Sequence, residues 1–411
     1  MMSSRILTLL VLLALLVLAP LYLPMALVNA GIQMLIAALF ATAFNVLAGQ
    51  GGMLSFGHSA YFAIGTFATI HAMNAVEEIA GFPTPLLPLA GLIGGGLLGV
   101  VAGWFSTQRS GVYFAMVTLA LAELLHSLAP HLSGIFGGEG GVSAMRMPAW
   151  GLDFGSSVQV YYLTLFWVVL GVALLYYFTR TPLGRLCEGL RENTHRLRFM
   201  GYDVHRLRLM VFTVSAAFSG LAGALLAMNN EAANYVLFDM NLSAQVVLNA
   251  YIGGIGAFFG PALGAAVMTF FGYAVSDLTR TWLLYQGVIF VLVMMFMPAG
   301  LFSIGKWWRR HSDHHSVRQL GAVLAGWSTA CVLGAVGLVF VVEVLAVILA
   351  QDYQSLLVAG QPWPAIQLFG LSLLPGQVWV WLVPLALMVA GVLGVLGVSR
   401  RWARLREEYA S

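Results

Sequence analysis

Residues 300–306, Gly-Leu-Phe-Ser-Ile-Gly-Lys, match the spacing G-x-x-x-x-G-K of a phosphate-binding loop, but Trp307 stands where that loop needs a Ser or Thr hydroxyl for magnesium. They also follow an apolar stretch, whereas a phosphate loop joins a strand to a helix. Lys306, Trp307 and Trp308 therefore read as an interfacial anchor, and the chain has no nucleotide site of its own. His311, His314 and His315 are joined only by Asp313, too few ligands for a metal centre, and read as a solvated polar loop. No nucleophile–base set or Gly-x-Ser-x-Gly elbow marks the chain as an enzyme. The polar residues left with chemistry to do lie inside apolar stretches, where they are costly. Asn45, Gln50, Ser55, His58 and Ser59 surround one glycine cluster, and Gln245 and Asn249 precede a second, Gly253, Gly254 and Gly256. Glu123 and His126 share a helical face at i, i+3. Two readings stay open for that pair: mutual relief of desolvation, or the lining of a polar pathway. Glu343 reads as a helix-interface residue.

The elements that position these groups follow from composition. The chain has 411 residues, of which 60% are hydrophobic and 9% charged, against roughly a quarter charged in soluble domains. Twelve hydrophobic segments fall near 6–28, 30–48, 56–75, 86–106, 112–132, 159–179, 209–229, 242–256, 260–276, 283–303, 319–349 and 377–398. Such runs predict an all-α, polytopic membrane protein, because helices satisfy their own backbone groups in lipid. The runs lack the alternation of a β-barrel. With the N-terminus inside, Arg5, Arg109, the arginines of 180–208, Lys306, Arg309, Arg310, Arg318, Arg400, Arg401, Arg404 and Arg406 all fall on the cytoplasmic side. Only Arg146 and Arg280 fall outside, and both termini are expected in the cytoplasm. Val28-Asn29-Ala30 resembles a signal-peptide cleavage site, but the preceding apolar stretch is long and carries two prolines, so a retained helix is expected. Cys187 and Cys331 belong to different depths and do not pair.

Seven of the nineteen basic residues lie between Arg180 and Arg208. Thr181 before Pro182 predicts an N-cap with a first-turn proline, and Gly201 predicts the helix stop. Between them Leu183, Leu186, Leu190 and Leu197 form one stripe. From the residues alone, that stripe fits a lipid surface or a groove on a partner protein. A faint repeat links residues 45–57 with 249–260, each an Asn followed by glycines and a Phe-Gly. Glycine-interrupted segments in two halves of a chain mark a central pathway or tight helix packing, and both readings stay open. Segment 319–349 would be about 46 Å long as a straight helix, more than a bilayer needs. The loop 350–376, with Pro362, Trp363, Pro364 and Pro375, is expected to be structured.

Five blocks carry a resemblance: AGQGGMLSFGHSAYFAIGTF (48–67), SGVYFAMVTLALAE (110–123), TPLGRLCEGLRENTHRLRFMGYDV (181–204), YIGGIGAFFGPALGAAV (251–267) and MPAGLF (297–302). In this order they resemble the LivM-type permease subunit of branched-chain amino-acid ABC importers, across residues 30–304. The resemblance implies a permease core over 1–304 with about ten spans, a basic linker 305–318, and an added two-span region with a basic tail over 319–411. It implies a bacterial inner-membrane protein with a related second permease, two cytoplasmic ATPases that hold ATP and magnesium, a periplasmic binding protein, and no nucleic-acid partner. It further implies that 181–201 is the coupling helix, with Thr181, Pro182, Leu183, Gly184, Arg185, Leu186, Leu190, Arg191, Glu192, Asn193 and Gly201 meeting the ATPase. The pathway is expected at Asn45, Gln50, Ser55, His58, Ser59, Glu123, Gln245, Asn249, Gly253, Gly254 and Gly256. Arg196, Leu197, Arg198 and Phe199 replace small residues of the family, Glu123 replaces a glutamine, and Asn249 and Tyr251 replace apolar residues. The cargo implied is a small, branched-chain or other hydrophobic amino acid. Urea, amides and small aromatic carboxylates are alternatives within the family, and an ATP-independent channel or ion-coupled carrier is the rival class.

Overall fold

The computed structural model describes residues 2–78, 83–276, 279, 281–297, 299–305, 317–356, 363–368 and 371–408. Each of the twelve hydrophobic segments is built around a helix. In chain order the helices are α1 (Met2–Tyr22), α2 (Met25–Asn45), α3 (His58–Glu78), α4 (Pro88–Ser106), α5 (Val112–Leu128), α6 (Ser133–Phe136), α7 (Ser157–Arg180) and α8 (Pro182–Glu192). They continue as α9 (Thr194–Phe199), α10 (Val204–Asn230), α11 (Met240–Gly253), α12 (Gly260–Ser276), α13 (Trp282–Phe296), α14 (Val317–Leu349), α15 (Gln351–Gln354) and α16 (Trp379–Glu408). Among the described residues, 7 helices are long and apolar enough to cross a membrane. α11, α12 and α13 are shorter, at 14, 17 and 15 residues.

The first helix boundary differs from the sequence expectation. It falls at Pro24, which is extended (φ −62°, ψ 154°) and starts α2 at Met25. A proline has no N–H to continue α1 but fits the entry of the next helix. Val28 and Ala30, read above as part of a cleavage-like site, are thus buried in the first turns of α2.

The chain forms two compact units, Met1–Tyr273 with Phe290–Phe302, and Ala274–Ile289 with Ser303–Ser411. In the first unit α10 packs between α3 and α4. The close approach rests on small residues at four-residue spacing. On α4 they are Gly91, Gly95, Gly99 and Gly103, which face Ala224, Gly220, Ala216 and Phe212 of α10 in antiparallel order. A Cβ on Gly220 would lie 2.3 Å from the Gly91 carbonyl, and one on Gly65 of α3 would lie 2.2 Å from the Gly220 carbonyl.

Polar contacts mark the two ends of this bundle. At one end, the Thr107 hydroxyl lies 3.1 Å from His205 Nδ1 and α8–α9 sit beneath α2, α7 and α10. Arg109 and the arginines of 180–208 lie here. At the opposite end, β1 (Val142–Ser143) pairs antiparallel with β2 (Ala232–Ala233), and Asn74 donates to the Ser143 carbonyl. Arg146 lies there, away from the basic end.

In the second unit α14 and α16 form a hairpin, with a Cβ on Gly391 reaching 2.7 Å from Gly334 Cα and one on Gly337 reaching 2.5 Å from the Pro384 carbonyl. The unit divides from the first within the sequence 274–302 rather than at one point after 304. The polar reason is Glu343 of α14, whose Oε1 accepts from the hydroxyls of Thr279, Thr281 and Tyr285. Part of the loop 350–376 is ordered as α15 and a hairpin of β3 (Ile366–Leu368) and β4 (Leu371–Leu373) over an apolar cluster of Val344, Tyr353, Ile366 and Val380. Lys306, Trp307, Trp308, Arg309, Arg310, His311, Asp313, His314, His315, Arg280 and Pro362 lie outside the described residues.

Candidate coupling and translocation elements

The basic stretch after α7 begins as its residues dictate. The Thr181 hydroxyl accepts from Gly184 N–H at 3.2 Å, and Pro182 occupies the first turn. Gly184 is required because a Cβ there would stand 2.1 Å from the Phe178 carbonyl at the end of α7. One continuous helix over 181–201 is not what forms. Asn193 is extended (φ −159°, ψ 99°), ends α8, and accepts the Arg196 N–H on its own Oδ1 at 3.1 Å to cap α9. An Asn side chain that can cap a new helix competes with the helix interior. Gly201 then closes α9 in the left-handed region, φ +84°, with Tyr202 N–H on the Leu197 carbonyl.

The leucine stripe also faces the other way. Leu190 and Leu197 are buried and Leu186 half-buried in the chain's own core. Breaking the helix at Asn193 folds Leu197 back onto Gly189, 3.1 Å from a Cβ placed there. The outward surface is Leu183, Arg185, Glu188, Glu192, Arg196, Arg198 and Phe199, the last 92% exposed. Cys187 is buried beneath it, its Sγ on the Leu183 carbonyl, and burial pushes its thiol up to about 12, with the Glu188 charge adding to the effect.

Arg191 ties α8 to α2. Its Nη1 donates to the Gly49 carbonyl at 2.7 Å, in the widened turn Val46–Gln50 that continues α2. Gly52, at φ +67°, lets the backbone pass against the Arg191 stem, where a Cβ would be 3.0 Å from Arg191 Cβ. Such single widened turns recur at functional sites.

The residues expected along a pathway separate into four groups. Ser55, His58 and Ser59 are fully buried, and each has hydrogen-bond partners within the helix bundle. The Ser215 hydroxyl donates to the Ala43 carbonyl, so it accepts from His58 Nε2 at 2.9 Å, and His58 Nδ1 accepts from Ser55 at 3.0 Å. This bond order assigns a neutral His58 with its proton on Nε2. Ser59 donates to the Phe238 carbonyl and accepts from Ser243. The network joins α3 to α10, α2 and α11. The two glycine clusters form the second group and do meet. Asn45 Nδ2 donates to the Ala257 carbonyl at 3.4 Å, its Oδ1 is buried without a partner, and a Cβ on Gly49 would lie 2.7 Å from the Ile255 carbonyl. Gly253 packs on Gly260 and Gly264, and Gly254 on Ala299 and Gly300, while Gly256 is open. Third, Gln50 and Gln245 are half-buried and Asn249 is buried. Fourth, Glu123 is exposed and lies 3.7 Å from His126, whose ring stacks on Tyr235, so pairing is the reading that the geometry favours.

None of these residues lines the cavity found among the described residues. That cavity, about 270 Å³, lies at the end of the bundle away from α8 and α9, and is lined by Asn29, Gln33, Arg146, Ser157, Asn229 and Tyr273, with Ala30 and Val160 as its apolar wall. The signal for it was present in the sequence: Gln33 and Asn229 are polar within apolar segments, and Arg146 stands apart from the other basic residues.

Long apolar helices with a capped, amphipathic helix pair packed at their basic end define a polytopic helical membrane protein. The family description "Branched-chain amino acid transport system / permease component" matches residues 26–298, and the chain belongs to this family. It is 31% identical over 284 residues to the high-affinity branched-chain amino acid transport system permease protein LivM of Salmonella typhimurium, covering 63% of this chain and 66% of that protein. LivM of Escherichia coli is 30% identical with the same coverage. LivH of Salmonella typhimurium is 24% identical over 65% of this chain and 91% of its own length. The chain thus spans 66% of the length of the two LivM relatives. No solved structure matches.

Proposed function

We propose that the chain is a permease subunit of an ATP-driven importer of small amino acids, branched-chain or similarly hydrophobic, in a bacterial inner membrane. Its basic end faces the cytoplasm, as the positive-inside rule requires, and both termini lie on that side. ATP and magnesium belong to two separate ATPase subunits. A LivH-like second permease and a periplasmic binding protein complete the assembly.

The observation that carries this reading is the α8–α9 pair. It is capped at both ends, rooted in the core by Leu190 and Leu197, and turned outward with charged residues and Phe199. Its roots reach three long helices: α7 through Gly184, α2 through Arg191, and α10 through the Asp203 cap, which accepts from His205 and Arg206 N–H. An ATPase that moves this pair moves all three. Nucleotide drives the change by binding the two states unequally, without touching cargo. Asn45, Gln50, Gln245, Asn249 and Gly256 belong on the pathway side in this reading, while the His58 network is the fixed frame.

Co-purification tests it. Tagged chain isolated from its native membranes brings down an ATPase, and uptake of labelled leucine into proteoliposomes of the isolated assembly requires ATP. Transport by the purified chain alone, without ATP, makes it a channel or carrier instead.

A further inference from the structure

The cavity at the end remote from α8–α9 has no part in the coupling scheme, and its chemistry is specific. Arg146 is fixed in place by three contacts. Its backbone N–H and Nε both meet Glu231 Oε1, at 2.9 and 3.1 Å, and Nη1 donates to the Met228 carbonyl at 2.7 Å. Glu231 holds this position in the left-handed region, φ +54°, one of three non-glycine residues there among those described. Such a conformation persists only where surrounding contacts enforce it. Nε is buried without a hydrogen bond among the described residues, its approach to Glu231 being an ion pair, and Arg146 lines the cavity.

The walls add matched polarity. Ser157 is the first residue of α7, where helix N–H groups and the dipole favour an anionic group. Asn29, Gln33 and Asn229 bring amide oxygens that can accept from an ammonium. Ala30 and Val160 leave an apolar patch. Among the described residues Arg146 is the one charged residue of the lining, and Glu231 beside it balances its charge. A net anion or cation would therefore sit there uncompensated, whereas a zwitterion would not. The volume lies just below the ~300–1,000 Å³ of pockets for drug-sized ligands, and so suits a smaller molecule.

We propose that this cavity is a binding site within the single chain for a small zwitterionic α-amino acid with an aliphatic side chain. The carboxylate engages Arg146 and Ser157, the ammonium engages the amides of Asn29, Gln33 and Asn229, and the side chain rests on Ala30 and Val160. The identity of the ligand rests on the importer reading above; the site itself rests on the geometry.

The test uses the full chain in lipid nanodiscs with labelled L-leucine, and 4-methylpentanoate and 3-methylbutylamine as competitors lacking one charge each. Saturable leucine binding is expected, weakened about tenfold or more by Arg146→Gln, as loss of a charge-assisted hydrogen bond implies. Because Arg146 also anchors its own loop, Gln33→Leu is the second variant; its side chain makes no hydrogen bond among the described residues, and it is expected to weaken binding while leaving the melting temperature unchanged. Both competitors are expected to displace leucine poorly. Binding that neither variant alters, or no saturable binding to the chain, overturns the site. Equal competition by 4-methylpentanoate overturns the zwitterion assignment. If ATP-driven leucine uptake by the assembled complex persists without binding to the chain, the site fails and the importer reading stands. If variant-sensitive binding persists but the complex transports no amino acid, the site stands and the importer reading fails.

Discussion

Arg191→Ala tests whether α8 transmits motion to α2. The bond removed is a charge-assisted one, Arg191 Nη1 to the Gly49 carbonyl at 2.7 Å. Hydrogen bonds to charged groups contribute ~1.5–3 kcal/mol, and because Arg191 is exposed the lower value of about 1.5 kcal/mol applies. That corresponds to about tenfold in the equilibrium between α8 seated on α2 and α8 released from it. In proteoliposomes holding the assembled importer, leucine taken up and phosphate released are measured in the same vesicles. The expected result is continued ATP hydrolysis with uptake per ATP reduced by up to about tenfold. Arg191→Lys, which keeps a charge but not the planar fork, recovers part of the loss. Gly52→Ala acts in the same direction, since its left-handed backbone resists a Cβ that would also stand 3.0 Å from Arg191 Cβ. An unchanged ratio of uptake to hydrolysis in folded Arg191→Ala protein refutes the reasoning. A parallel fall in both quantities places the fault in ATPase docking rather than in transmission.

Three further outcomes follow from the packing. Leu190→Ala empties a buried position and is expected to cost about 2–5 kcal/mol, read as a lower melting temperature of the chain alone, whereas Phe199→Ala at a 92% exposed position shifts stability by less than about 0.5 kcal/mol and acts on ATPase co-purification. Gly220→Ala forces a methyl to within 2.3 Å of the Gly91 carbonyl and is expected to destabilise by about 1–3 kcal/mol, measured by fluorescence-detected size exclusion after heating. The Cys187 thiol is raised from its ordinary range to about 12 by burial, so the folded chain holds that proton more tightly than the unfolded one. Its contribution is complete below the unfolded value and is lost as pH climbs toward 12. Melting temperature should therefore fall across that alkaline window more steeply in the parent than in Cys187→Ala.

The legible part of the molecule is the part that depends on near neighbours in sequence. An apolar run of sufficient length forms a helix whatever surrounds it, since its hydrogen bonds close within each turn. The Thr181 start and the Gly201 stop were readable because a cap depends only on residues within a few positions along the chain. The glycine ladder of α4 was equally open to reading: four glycines at four-residue spacing can only serve one face. The coupling stretch was half legible, because the stripe of leucines was visible but not its destination.

Tertiary structure alone decided the rest. Asn193 fits a helix interior or a cap, and only the need to return Leu197 to the core selects the cap. Nothing near His58 in sequence marks Ser215, 157 positions away, as the partner of its second nitrogen. The cavity around Arg146 joins residues from five separated segments, 29–33, 146, 157–160, 229 and 273; Gln33, Arg146 and Asn229 each stand out in the sequence, but only the packing brings them together. A sequence specifies which groups are costly to leave in lipid unpaired. Which partner meets that cost depends on how the helices pack, and that is settled by contacts between residues far apart in the chain.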